Sequence, residues 1–516
     1  MLGTVLLAQG ELKSAIAHLQ QAIRLKPSLV EAHSTLSRAF VMVRDAASAV
    51  HEAQTAAQLA PNSAEAYHVL AHALEFSGNS DAAIPAIRRA IELNPSNAEF
   101  HDDLGSLLAQ HGSVAEAIPQ FQQALERNPD FAPAHLHLGV LYFEQKNFES
   151  AVTELQRATD LAPRNFLAFN YLGFTQHERG NNDAAIAALQ SSVHLNPDQA
   201  DVQTQLGQLL QREGRPAEAA ASFREVVRLQ PSNPDAQNNL GLALLQVGDG
   251  EGSIAAFKAA LQLAPGSTAY QENLGAAYLQ KADFAAAVSE FSDALQRQPD
   301  SPSLHYDLGL ALKLQDKLPE AAVELRKAES LDPSQPDAPY TLGVTLWQQG
   351  DLDGAARELQ AAIHAKPDYA EAYYTLGSVL KQQGKLPEAA AALREAIRLQ
   401  PDFAGAHTTL AAVLRQSGDT QGAAAELRTG SELAKRKTDL QAAVFATNSG
   451  RRLRKAGDLD GAISQFQTAI SATPDYAPAH FELGLALQQL GKKDEARQEF
   501  QRANALDAHF TPPADK

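Results

Sequence analysis

Histidine is the residue in this 516-residue chain whose chemistry comes into question first, because there are 16 of them and no cysteine. Without cysteine there is no disulfide framework, no thiolate-held zinc or iron-sulfur site and no thiol nucleophile. Imidazoles hold a metal only when several converge on one ion. Six of them, His33, His101, His135, His305, His407 and His480, instead share one column, four positions into a recurring unit. Rings that recur with the unit fall at a similar depth in successive layers, so the expectation is a packing role and no metal site. His51-Glu52 and His177-Glu178 lack the second histidine of a zinc-protease helix. The glycine cluster GDGEGS at 248–253 follows a helical pattern rather than a strand and carries two acids that would repel phosphate. No Ser-His-Asp or paired-carboxylate constellation stands apart from the recurring columns. Neither an enzyme nor a cofactor is expected.

The residues around these histidines limit the remaining classes. With 44% hydrophobic and 20% charged residues, the chain is too apolar to be disordered and too long for one compact core. Its 61 acidic against 43 basic residues give a formal net charge of −18, which argues against nucleic acid or an anionic membrane as partner. No apolar run approaches the roughly 18 residues of a membrane span, and the first residues lack the basic start of a signal peptide. The expectation is a soluble chain, with the cytoplasm favoured over the periplasm.

The elements that must position all of this are set by proline. Pro27, Pro61, Pro95, Pro129, Pro163, Pro197, Pro231, Pro265, Pro299, Pro333, Pro367 and Pro401 follow one another at 34 residues. Between them lie two apolar patterns of helical period, as in DYAEAYYTLGSVLKQQG and KLPEAAAALREAIRLQ, joined by a turn that usually holds Gly. Ten residues after each proline stands a small residue, most often Gly, from Gly105 to Gly377; twelve before it stands Ala, with Ser253 the exception. Small residues at both columns let two helix backbones approach, with Leu36, Leu70, Leu104 and Leu138 filling the space beside them. Proline closes the second helix, since it cannot donate into the helical ladder.

This pattern resembles the tetratricopeptide repeat family, over nearly the whole chain. The resemblance implies an all-α fold, a right-handed α-solenoid superhelix of stacked helix-turn-helix repeats without a closed active-site pocket. Counted from the columns, residues 1–437 hold a partial first repeat and about twelve 34-residue repeats. A five-residue register slip at 438–442, two further repeats at 443–510 and a disordered tail at 511–516 complete the expected organisation. Leu2 and Gly3 fall in the Leu-Gly columns, so the chain as given is expected to open part-way through a helix, and its true N-terminus is in doubt.

In this family the first helix of each repeat lines a concave face that binds extended peptides or partner helices. That points to positions five, six, nine, twelve and thirteen of each repeat. Tyr306, Tyr340 and Tyr374 share position five, and Lys313, Trp347 and Lys381 share position twelve. They form either a ladder of rings edged with cations, suited to peptide side chains and a carboxylate, or packing against the adjacent repeat. At positions five and six, Asn170, Gln205, Asn238, Asn239, Asn273 and Asp307 supply groups that can grip a peptide backbone. The row is partly similar to the asparagine ladder in the repeat domain of O-linked N-acetylglucosamine transferase. A glutamine column at position thirteen reads mainly as a solvated face. The clamp for Hsp70 and Hsp90 tails, with Lys at position five and Asn at position nine, is absent. The expectation is a non-catalytic scaffold for peptides or proteins; the alternative is the repeat region of a longer glycosyltransferase or envelope-assembly protein.

One stretch departs from the period. Residues 431–458 hold seven basic residues, and Lys435 stands where the next proline would fall. Thr438-Asp439-Leu440-Gln441 fits a capping box, so a new helix is predicted to start near Asp439 and run to about Lys455. On this reading Lys435, Arg436 and Lys437 end one helix, and Arg451, Arg452, Arg454 and Lys455 end the next, with the acidic-partner contact as a second possibility. Ser449 replaces the usual Leu, so the junction should pack loosely.

Overall fold

The computed structural model describes residues 2–511. Among them are 29 helices and no strand, arranged as tandem helical hairpins that form an all-α solenoid. Two units are distinguished, Met1–Ser267 and Thr268–Lys516.

A representative hairpin pairs helix Ala370–Gln382 with helix Leu386–Leu399. Between them Gly384 takes a left-handed φ of 75°, which glycine adopts without the Cβ clash that other residues suffer. The same turn position is held by Arg44, Lys146, Ala282 and Asp316, all at φ near 60°. GDGEGS is one of these turns: Gly248 has φ 87° and the Asp249 carboxylate accepts from the Gly252 amide at 2.9 Å, capping the next helix. Second helices end two residues before each proline, as at Leu59 before Pro61 and Leu399 before Pro401.

The small columns have a specific packing reason. A Cβ built on Gly377 would lie 2.6 Å from Leu393 Cγ and 3.2 Å from the Ala389 carbonyl oxygen. On Gly105 or Gly275 it would meet the rings of Phe121 or Phe291 at 2.7 and 2.5 Å. Glycine thus admits a large side chain sixteen residues later, while the alanine column brings the backbones close. Leu36, Leu104 and Leu138 are buried beside it. Gly3 takes the same place against Leu19, and Gly450 against Phe466.

The histidine column also has a structural reason. In His33, His135, His305, His407 and His480, Nδ1 lies 2.6 Å from a glutamate nineteen residues on, and Nε2 lies 2.9–3.1 Å from the carbonyl of the proline six residues back. His101 makes the same pair of contacts to Gln120 and Pro95. Each ring therefore ties the proline turn to the second helix of its own repeat.

The segment 431–458 differs from expectation. A single helix runs from Thr420 to Lys455, 36 residues, where the other helices of the array have 13 or 14 apart from the 7-residue Leu2–Ala8. No helix begins at Asp439, and the residues expected as a slip at 438–442 lie inside this helix. Thr438 does not cap: its hydroxyl donates to the Ala434 carbonyl at 3.0 Å, a bond of a helix interior. With neither Gly nor Pro between 431 and 449, nothing stops propagation once Lys435 replaces proline. Lys435, Arg436 and Lys437 are accordingly mid-helix and do not serve the dipole, whereas Arg452, Arg454 and Lys455 do stand in the last turn. Of the tail expected at 511–516, all but Thr511 lies outside the described residues.

Candidate binding surface

In both units first helices of consecutive repeats touch at several junctions. In the C-terminal unit Pro302–Leu314 meets Asp337–Gln349, which meets Ala370–Gln382, which meets Ala404–Gln416. Side chains at the variable positions consequently contact one another across repeats in a fixed scheme. Position five meets position six of the next repeat, as Asp102 Oδ1 meets His137 Nδ1 at 2.9 Å. Position twelve meets position thirteen of the next: Trp347 Nε1 donates to Gln382 Oε1 at 2.7 Å and Gln110 Nε2 donates to Glu75 Oε1 at 3.2 Å. Part of the glutamine column thus links neighbouring repeats rather than only facing solvent.

Tyr306, Tyr340, Trp347 and Tyr374 are half-buried and pack on one apolar cluster of the C-terminal unit. The ring of Tyr340 lies 5.0 Å from that of Tyr369, and Tyr374 lies 4.8 Å from Phe403. Both partners stand immediately before the first helix of the next repeat, so one side of each tyrosine is committed to packing. Tyr306 borders a cleft of 360 Å³ with Pro302, Asp332, Gln335, Asp337 and Ala338. Burial raises the Tyr306 phenol above its ordinary range. Lys313 and Lys381 are half-buried, and burial lowers the pKa of Lys313. Asp307 is pushed up to about 7, by burial first and then by the Glu272 carboxylate.

The amide row is brought together less completely. Asn170 is buried; its Nδ2 donates to Gln199 Oε1 at 2.7 Å, its Oδ1 accepts from the Ser192 hydroxyl, and it is thereby used up in packing. Gln205 is exposed, and Asn238 and Asn239 are half-buried in the N-terminal unit. Asn273 is half-buried in the C-terminal unit.

The basic stretch is partly accounted for by a neighbour. Glu482 is buried, and Arg451 Nε and Arg454 Nη2 donate to its two oxygens at 2.7 and 3.0 Å. Positions nine and twelve of one repeat here neutralise position six of the next, which a charge count along the sequence does not reveal. Arg436 and Lys437 line a 660 Å³ cleft whose wall also includes Glu371 and Asp402.

Comparison with known proteins follows the same pattern. A tetratricopeptide repeat profile matches residues 68–130, 103–166, 138–200, 204–268, 273–336, 340–402 and 374–430. Two further profiles of this repeat match 3–42, 450–491 and 477–510. An uncharacterized protein of Methanocaldococcus jannaschii is 34% identical over 73 residues, which is 14% of this chain and 85% of that protein. YrrB, described as a TPR protein with an unusual peptide-binding site, is 25% identical over 35% of this chain and 94% of its own, with a TM-score of 0.33. MamA is 25% identical over 32% and 96%, with a TM-score of 0.31. PilF of Pseudomonas aeruginosa is 24% identical over 40% and 95%, with a TM-score of 0.35. No described helix is long and apolar enough to cross a membrane. With the profile repeated over most of its length and the hairpins stacked as that profile requires, the chain belongs to the tetratricopeptide repeat family.

Proposed function

We propose that the chain is a non-catalytic protein-interaction scaffold, and that in its C-terminal unit the first-helix face carrying Tyr306, Tyr340, Trp347 and Tyr374 anchors an extended peptide. The observation that carries this reading is the row of half-buried rings resting on one apolar cluster. Rings already fixed by packing lose little freedom when a ligand covers their remaining face, and such anchors dominate interface energetics. Lys313 and Lys381 at the edge suit a peptide carboxylate, and the cleft beside Tyr306 offers a place for one side chain. In the N-terminal unit Gln205, Asn238 and Asn239 suit contact with a peptide backbone.

The test is selection from a random peptide display library on the purified full chain, followed by affinity measurement of the selected peptides. Tyr340→Ala combined with Tyr374→Ala should weaken them by at least about tenfold, since two anchors are lost. Unchanged affinity in a variant with an unaltered circular dichroism spectrum rejects the reading.

A further inference from the structure

Three side chains in the N-terminal unit make a cluster that packing alone does not account for. His68 and His72 stand one turn apart on helix Ala64–Phe76, at positions five and nine of their repeat. Asp103 stands at position six of the next repeat, on helix Ala98–Gln110. The scheme that joins positions five and nine to the following position six brings all three together. His68 Nε2 lies 2.6 Å from Asp103 Oδ2, His72 Nε2 lies 3.2 Å from the same oxygen, and the two Nε2 atoms are 3.0 Å apart. At the equivalent place near the C-terminus stand Arg451 and Glu482, an ordinary ion pair.

With Asp103 ionised, no placement of protons makes all three of these contacts hydrogen bonds. If both Nε2 atoms carry hydrogen to donate to Asp103, the two nitrogens meet as donors only 3.0 Å apart with no hydrogen bond between them. If one nitrogen gives up its hydrogen to accept from the other, its contact with the carboxylate becomes a repulsion of lone pairs. A cation bound by all three lone pairs removes the conflict. Zinc at about 2.0–2.1 Å from each ligand sets ligand atoms about 3.3 Å apart on a tetrahedral face. The two edges at His72, 3.0 and 3.2 Å, reach this with movements of a few tenths of an ångström that its exposed side chain can supply, while the 2.6 Å edge between His68 and Asp103 must open by about 0.7 Å.

A second observation points the same way. His68 is 4% exposed and its Nδ1 has no hydrogen-bond partner. Glu65 Oε2 lies 3.8 Å from this atom, and Glu75 Oε2 lies 3.7 Å from His72 Nδ1. When Nε2 binds a metal, Nδ1 carries the proton and seeks a carboxylate, and both histidines have one within a short side-chain adjustment. His72 and Glu75 also line a 610 Å³ cleft with Val41, Met42 and Phe76, which gives an ion a route in from solvent.

We infer that His68, His72 and Asp103 form a binding site for a zinc-like divalent transition-metal ion, with one coordination position left for water or a ligand. Two imidazoles and one carboxylate favour such ions over magnesium and calcium, which require more oxygen donors. This departs from the expectation that the chain holds no metal site. His68 and His72 lie outside the histidine column, and their third partner is in another repeat.

The test is calorimetric titration of the tag-free, chelator-treated full chain with zinc chloride, together with cobalt absorption to report tetrahedral geometry. One strong equivalent is expected, with magnesium producing no heat at the same concentrations. His72→Ala, at an exposed position, should weaken that equivalent by at least about tenfold, Asp103→Asn should do the same, and His111→Ala should leave it intact. No binding by the native chain, or equal binding by a folded His72→Ala chain, overturns the site. Equal weak binding by all four chains assigns the heat to surface histidine and overturns it too.

Discussion

Asp307 shows how a repeat surface places a titrating group near neutrality. Its carboxyl is half-buried and faces the negative field of Glu272, which together push it up to about 7. An unfolded aspartate titrates near ~3.9, so the folded value is raised. The stability tied to its proton is then fully present below about pH 4 and is lost as pH rises toward 7. Asp307→Asn cannot ionise, so the thermal midpoint of the native chain should fall relative to the variant across that window. The difference reaches at most about 4 kcal/mol at neutrality, and parallel profiles for the two chains would refute the assignment. His135 illustrates the opposite balance. Burial opposes its charged form, but the bonds to Glu154 and the Pro129 carbonyl outweigh burial and hold its pKa above the ordinary value. These side chains were legible only in part. The columns single out the tyrosines and lysines as candidates, but they carry no sign that Ser192 and Gln199, neither in a variable column, occupy the amide of Asn170.

The helix Thr420–Lys455 is the element for which local rules pointed the wrong way. A capping-box sequence at Thr438 is a weak signal against a run without Gly or Pro, because extending a helix adds a hydrogen bond per residue while ending one leaves carbonyls unpaired. The two descriptions make different predictions for one substitution. Proline is tolerated at the start of a helix but costs roughly 3 kcal/mol in its interior. Thr438→Pro should therefore lower stability by about that amount and expose the segment around 431–440 to proteolysis. A neutral substitution would mean that a helix does begin there. Residues 431–442 of this helix include no buried side chain, so that stretch is held by continuity rather than by burial, whereas Ala443 and Ala446 just beyond it are buried.

Each of the two units, Met1–Ser267 and Thr268–Lys516, is built from repeats that touch chiefly their neighbours, and stability in such an array accumulates locally. Residues 1–267 and 268–516 expressed separately should each fold with a helical circular dichroism spectrum and a cooperative melt. An unfolded half would show that the units are not self-sufficient. The period of 34, the hairpin, the turn glycines and the small-residue columns were all determined by the sequence itself, because each depends on contacts within one repeat and recurs in most copies. What joins one repeat to the next was decided only by tertiary structure. His68, His72 and Asp103, or Arg451, Arg454 and Glu482, meet across 28 to 35 residues because rigid hairpins stack at one fixed offset. Which side chains then pair is settled by competition among neighbours in space, and a linear pattern carries no record of it.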